Sequence, residues 1–220
     1  MIKQRIPETN HGITGEFEVK DYDVVQRKLR DKGYMETDDI IKSGINYGSA
    51  LEIGPGPGYL GLEWLKKTQN TNLTWLEISE DMKKIAEKNT KEYGLEKRVS
   101  YIISDATKKF PFENDKFNAI FTNGSLHEWR DPIVVFNEIN RVLKRGGKFF
   151  VSDLKRNINF LLVLFIKSMT KKKSMRKGLE TSIQAAYLKN EIEEILFKSE
   201  LKDYNISENA FGFNITGQKI

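Results

Sequence analysis

From Ser49 onward the chain alternates short apolar runs with stretches whose apolar residues recur at helical spacing, the pattern of a parallel sheet covered by helices. Ser49-Ala-Leu-Glu-Ile-Gly54 predicts a first strand, followed by a Gly/Pro turn and a helix carrying Leu60, Leu62, Trp64 and Leu65. Leu73–Ile78, Val99–Ile103, Phe117–Thr122 and Lys148–Ser152 predict four further strands. Ser79 is placed to cap the helix after the second strand, with Glu80 and Asp81 in its first turn, where the helix dipole favours negative charge. Asp131-Pro132 starts another helix, because Asp accepts exposed N–H groups and Pro has none to leave orphaned. Val135, Phe136, Ile139, Val142 and Leu143 continue it as far as Gly146-Gly147.

The flanks break this alternation. Tyr22 to Ile41 reads as mostly helical and lies beside the sheet, so residues 15–45 are expected to form a helical lid. Residues 154–180 form a basic and apolar insert, followed by a helix around Leu188–Phe197. Tyr204–Ser207 and Phe211–Thr216 read as two strands joined at Glu208-Asn209, a hairpin that puts one antiparallel strand into an otherwise parallel sheet. The 220 residues, 39% of them hydrophobic, suffice for a single domain spanning 1–220 with a sizeable core.

Composition narrows the chemistry. The absence of cysteine removes disulfides, Cys-ligated zinc, iron–sulfur clusters and thiolate nucleophiles. The net charge of +5 is local: eight basic and no acidic residues lie between Leu154 and Leu179, which leaves the rest of the chain at −3. Ile158–Ile166 is the longest apolar run and is interrupted by Asn159, well short of the roughly 20 residues a membrane helix needs. Met1-Ile-Lys-Gln-Arg-Ile-Pro-Glu has no apolar core of the kind a secretory signal carries, so a cytoplasmic protein is expected.

The sequence Glu52-Ile-Gly54-Pro-Gly56-Pro-Gly58 falls where the first strand hands over to the first helix. Glycines there let the backbone approach a ligand, and the helix start offers unpaired N–H groups. Glu77 ends the second strand, 19 residues after Gly58, where a carboxylate can accept both hydroxyls of a ribose. Asp105 follows the third strand and brings a second carboxylate to the same sheet edge, within reach of an adenine amino group. Gly56-Pro-Gly58-Tyr-Leu-Gly61 also fits the dinucleotide fingerprint, so these features alone admit either a dinucleotide or another adenosyl ligand.

Taken with Phe117–Trp129 and Arg141-Val-Leu-Lys-Arg-Gly-Gly147, these motifs resemble, in order and spacing, the class I S-adenosylmethionine-dependent methyltransferases over roughly Tyr22–Asp153. The resemblance implies a Rossmann-like, doubly wound seven-stranded sheet, mostly parallel with one antiparallel strand near the C-terminus. It implies S-adenosylmethionine as cofactor and no metal. Glu52, Gly54, Gly56 and Gly58 would line its methionyl part, and Glu77 would hold the ribose. Ile78 would pack on adenine, with Asp105 and Ala106 at the adenine edge and Asn123 and Gly124 near the transferring methyl.

The acceptor is expected to be a small molecule. His127 is the candidate catalytic base, since an unperturbed imidazole titrates near neutrality, and Glu128 stands beside it. Tyr22, on the N-terminal helix, is a candidate contact for cofactor or substrate. A covalent thiolate route to pyrimidine C5 is closed, and Asn123-Gly-Ser-Leu126 departs from the Pro-Pro-aromatic turn of adenine N-methylating relatives. The insert reads as a lid helix or homodimer contact followed by a solvated basic loop. Alternatively it makes a peripheral membrane contact with a lipid-like or quinone-like acceptor, or grips RNA through Lys167–Lys177. The lack of aromatic residues within that cluster and the −3 balance elsewhere argue against nucleic acid.

Overall fold

A computed structural model describes residues 4–8, 13, 15–169 and 172–220. Its strands are β1 (Gly48–Ile53), β2 (Thr71–Glu77), β3 (Val99–Ile103), β4 (Phe117–Asn123), β5 (Leu143–Leu154), β6 (Asp203–Glu208) and β7 (Gly212–Gln218). They form one seven-stranded sheet in the order β3-β2-β1-β4-β5-β7-β6. All pairings from β3 to β5 are parallel, and β7 runs antiparallel to both β5 and β6, so a single strand is reversed, as the closing hairpin predicts.

The helices are α1 (Glu16–Asp31), α2 (Thr37–Lys42), α3 (Tyr59–Lys67), α4 (Glu80–Tyr93), α5 (Pro132–Val142), α6 (Phe160–Met169), α7 (Lys173–Ala185) and α8 (Lys189–Lys198). Alternation along the buried strands supplies both faces of the sheet. Leu51, Ile53 and Ile120 pack with Phe136, Ile139, Ile192 and Leu196 on one side. Ala50, Ala119 and Phe121 pack with Trp64, Leu65 and Ile40 on the other.

The two expected caps form. Ser79 Oγ accepts from Met82 N–H at 3.2 Å, and Asp131 Oδ1 accepts from Ile133 and Val134 N–H at 3.1 and 3.3 Å. The run Tyr22–Ile41 is mostly helical as expected, in two helices, α1 and α2, parted near Gly33, which takes φ +72. Two local expectations are corrected. The helix over Asp131 ends at Val142 rather than at the glycine pair, and Leu143 opens β5 instead. Gly146-Gly147 lies inside that strand: a Cβ on Gly147 would stand 2.7 Å from Lys144 O and 3.1 Å from Asn118 O. Gly147 thus lets β5 pass close to β4 where the pairing register shifts between Phe117 and Ala119, and Gly146 takes φ +71. The basic stretch expected as a solvated loop is helical from Lys173 onward, because its Lys, Met, Arg, Leu and Glu side chains are good helix formers. Lys171, counted in that cluster, lies outside the described residues.

Candidate functional site

β1 is flanked by β2 on one side and β4 on the other, so the connections leaving them run in opposite directions and a crevice opens at their carboxyl ends. A cavity of about 240 Å³ occupies it. Its walls include Glu52, Gly54, Gly56, Glu77, Ile78, Asp105, Ala106, Asn123 and Gly124. With Tyr22 and Glu128, eleven of the thirteen residues singled out in the sequence therefore meet there, and Gly58 and His127 do not.

The turn after β1 holds Gly54, Gly56 and Gly58 at φ +61, +54 and +83. Gly54 N–H donates to Leu76 O at 2.9 Å, which ties the turn to β2. Gly58 serves the packing beneath the turn: a Cβ there would lie 2.3 Å from Trp75 Cη2. The same indole donates from Nε1 to Glu52 Oε2. Burial pushes Glu52 up to about 8, against the lowering effect of that hydrogen bond, and the neighbouring Glu77 adds to the rise.

Glu77 is fixed by backbone. Its Oε1 accepts from the N–H groups of Ile78 and Ser79, both at 2.9 Å, and Oε2 accepts from Gly56 N–H at 3.2 Å. Burial raises its pKa, and these three bonds oppose the rise. Asp105 Oδ1 accepts from Thr107 N–H at 2.9 Å and from Thr107 Oγ at 2.6 Å, which folds the turn after β3. Asn123 Nδ2 and Ser152 Oγ both donate to Glu36 Oε2, so the segment between α1 and α2 is latched to the ends of β4 and β5. Burial pushes Glu36 up to about 7 despite the Ser152 bond.

His127 sits behind the cavity wall, 5% exposed, in a 3-10 turn Leu126–Glu128. Its N–H donates to Asp153 Oδ2 at 2.7 Å, and its ring Nδ1 lies 2.9 Å from Asp153 Oδ1. Burial alone would lower its pKa, but Asp153 foremost, then Glu8 and Glu128, hold it well above the ordinary histidine value. Glu128, Glu8 and Tyr22 do line the cavity. Burial pushes the Tyr22 hydroxyl up to about 12, with Glu128 adding to the rise. Glu8 carries no sequence signal, because it belongs to a segment without periodicity that is tied down by contacts distant in the chain, among them α7. Ile6 N–H donates to Gln184 O at 3.0 Å and Arg5 Nε to Ala185 O at 2.6 Å.

Residues 51–151 match the family model described as a methyltransferase domain. The chain superposes on a putative S-adenosyl-L-methionine-dependent methyltransferase from Methanococcus maripaludis, with a TM-score of 0.77, 25% identity and 96% of each chain covered. Residues 51–151 are thus similar to a methyltransferase domain, and the fold as a whole to that of an S-adenosyl-L-methionine-dependent methyltransferase.

Among curated relatives, a malonyl-[acyl-carrier protein] O-methyltransferase of Ilyobacter polytropus is 29% identical over 150 residues, covering 68% of this chain and 54% of that protein. A ubiquinone/menaquinone biosynthesis C-methyltransferase of Chromobacterium violaceum is 30% identical over 119 residues, covering 53% and 48%. The chain thus spans about half the length of these curated relatives. S-adenosylmethionine is named for the solved methyltransferase that the chain resembles, and the residues present suit it: bare backbone at Gly54 and Gly56, a carboxylate at Glu77, and apolar Ile78 and Ala106 beside Asp105.

Proposed function

We propose that this chain transfers a methyl group from S-adenosylmethionine to a small-molecule acceptor by in-line displacement. The observation that carries this reading is the convergence of the glycine turn, Glu77 and Asp105 from three successive strand ends on one cavity. Glu77 would accept the ribose hydroxyls, and Asp105 the adenine amino group, with Ile78 and Ala106 against the ring faces. Glu52 would support the methionyl end from below, since its carboxylate is turned to Trp75. Gly54 and Gly56 would let the backbone approach that end, with Gly58 seating the turn, and Asn123 and Gly124 would border the transferring methyl. When bound, the cofactor supplies a sulfonium-activated methyl; the protein's part is to align the acceptor and exclude water.

Titration calorimetry with S-adenosylhomocysteine tests this. Binding is expected, weakened roughly 10- to 100-fold by Glu77→Ala and by Asp105→Ala, the loss of hydrogen bonds to a charged group. Tight NADH binding with no response to S-adenosylhomocysteine would overturn it.

A second reading, favoured by α6, has the acceptor presented at an anionic membrane surface. Phe160, Leu161 and Leu164 are 70%, 71% and 45% exposed, and the exposed Lys173 and Lys177 follow in α7. Such a surface suits a lipid-like acceptor, in keeping with the quinone-pathway relative. No helix among the described residues is long and apolar enough to cross a membrane. RNA is less well served, because Lys167 is paired with Glu180 and Lys172 with Asp21.

A further inference from the structure

We propose that Glu8, His127 and Glu128 form a site for one divalent transition-metal cation. One ligand atom from each lies within 4.8 Å of the others. His127 Nε2 is 3.4 Å from Glu8 Oε2 and 4.0 Å from Glu128 Oε1. A tetrahedral ion with bonds of about 2.0–2.1 Å sets its ligand atoms about 3.3 Å apart, so the cluster needs only small side-chain shifts to close on one.

The imidazole is prepared for that role. His127 is 5% exposed, and its Nε2 makes no hydrogen bond among the described residues. Asp153 holds the opposite ring nitrogen at 2.9 Å, the arrangement in which an outer carboxylate fixes the tautomer and turns the other lone pair toward a metal. That nitrogen faces Glu8 and Glu128, and a cation would take the place of its proton. The segment that carries Glu8 is tied to α7 through Ile6 and Arg5.

Charge points the same way. Glu8, Glu128 and Asp153 surround a single imidazole. The nearby guanidinium of Arg5 is engaged elsewhere, on Ala185 O and His127 O and over the Tyr187 ring. One imidazole with two carboxylates suits Zn²⁺, Mn²⁺, Fe²⁺ or Co²⁺ better than a soft or an all-oxygen ion.

Glu8 and Glu128 both line the cavity, so remaining coordination positions would open toward it and the acceptor. An acceptor bearing an anionic oxygen could be held there. That role rests on the methyl-transfer reading; cation binding does not.

The experiment is titration of chelator-treated full-length chain with Co²⁺, followed by calorimetry and visible absorption, alongside S-adenosylhomocysteine titration of the same samples. One equivalent of Co²⁺ is expected, displaced by Zn²⁺. His127→Ala should abolish the binding and its absorption band. Asp153→Asn should weaken it about 10- to 100-fold by loosening the ring. Should His127→Ala fail to fold, Glu8→Gln and Glu128→Gln report the same loss with little change of shape. Chain that binds S-adenosylhomocysteine but takes up no Co²⁺, Zn²⁺ or Mn²⁺ overturns the proposal, as does uptake indifferent to all four substitutions. Cobalt binding without S-adenosylhomocysteine binding would leave the cation site standing and remove the methyl-transfer reading instead.

Discussion

Trp75 Nε1 donates a 2.5 Å hydrogen bond to Glu52 Oε2, and the two residues are register partners on β2 and β1, directly beneath the glycine turn. Both are buried, at 0% and 2% exposure, so the bond holds a polar pair inside the core where neither group has water to replace it.

That floor makes the turn intolerant of side chains. Gly58→Ala places a Cβ 2.3 Å from the indole at φ +83. The left-handed backbone costs about 1–2 kcal/mol and the overpacking about 1–3 kcal/mol more. Gly94→Ala, at φ +66 with nothing within 4 Å, is the control and incurs only the backbone cost. Urea denaturation of the two variants should separate them; equal losses would refute the packing role of Trp75.

Burial sets a pH dependence. Glu52 is raised from 4.5 to about 8 and Glu36 from 4.5 to about 7. In each case the folded state binds the proton more tightly than the unfolded chain does. Their stabilising effect is therefore complete below pH 4.5 and is lost as pH rises through 7 to 8, with each group costing up to about 1.4 kcal/mol per pH unit. Glu52→Gln keeps an acceptor for Trp75 and removes the titration. Thermal melts across this range should show a flatter profile for the variant, and an unchanged slope would count against a buried carboxyl.

Arg141 holds the loop after β3. It donates to Phe112 O at 2.8 Å, to Phe110 O at 3.1 Å and to Asn114 Oδ1 at 2.9 Å, and it pairs with Glu138, which accepts from Phe110 N–H at 2.6 Å. Arg141→Ala should cost about 1–3 kcal/mol by leaving these acceptors unpaired. Amide hydrogen exchange should rise between Ala106 and Lys116 before it rises elsewhere; uniform change would argue against a local clamp.

Exposed α6 residues should matter for surfaces and not for folding. Phe160→Ser with Leu161→Ser is expected to leave the melting temperature unchanged and to reduce co-sedimentation with phosphatidylserine vesicles, while neutral vesicles bind neither protein. Equal sedimentation of both proteins with the anionic vesicles would remove the membrane reading.

The elements that place the cavity were legible because local rules and packing agree there. The runs around Ala50, Leu73 and Ile120 are apolar on both faces, and Ser79 and Asp131 are placed where a cap is needed. Gly146-Gly147 was misread because a glycine pair signals a helix end as readily as a strand pressed against its neighbour, and only the closeness of Asn118 O decides. The basic stretch misled because charge speaks to solvent exposure and not to backbone conformation. Glu8 was invisible because its position depends on α7, some 170 residues away in the chain.

The pairing of β1 with β4 sets Ala50 against Ala119, Leu51 against Ile120 and Glu52 against Phe121. Nearly seventy residues of chain must be looped out before those contacts can form, and the crevice has no floor until they do. Affinity for a nucleoside ligand is therefore a late acquisition in refolding. A ligand of this cavity should slow unfolding without speeding the return, since the encounter that decides the folding rate precedes any surface for it to grip.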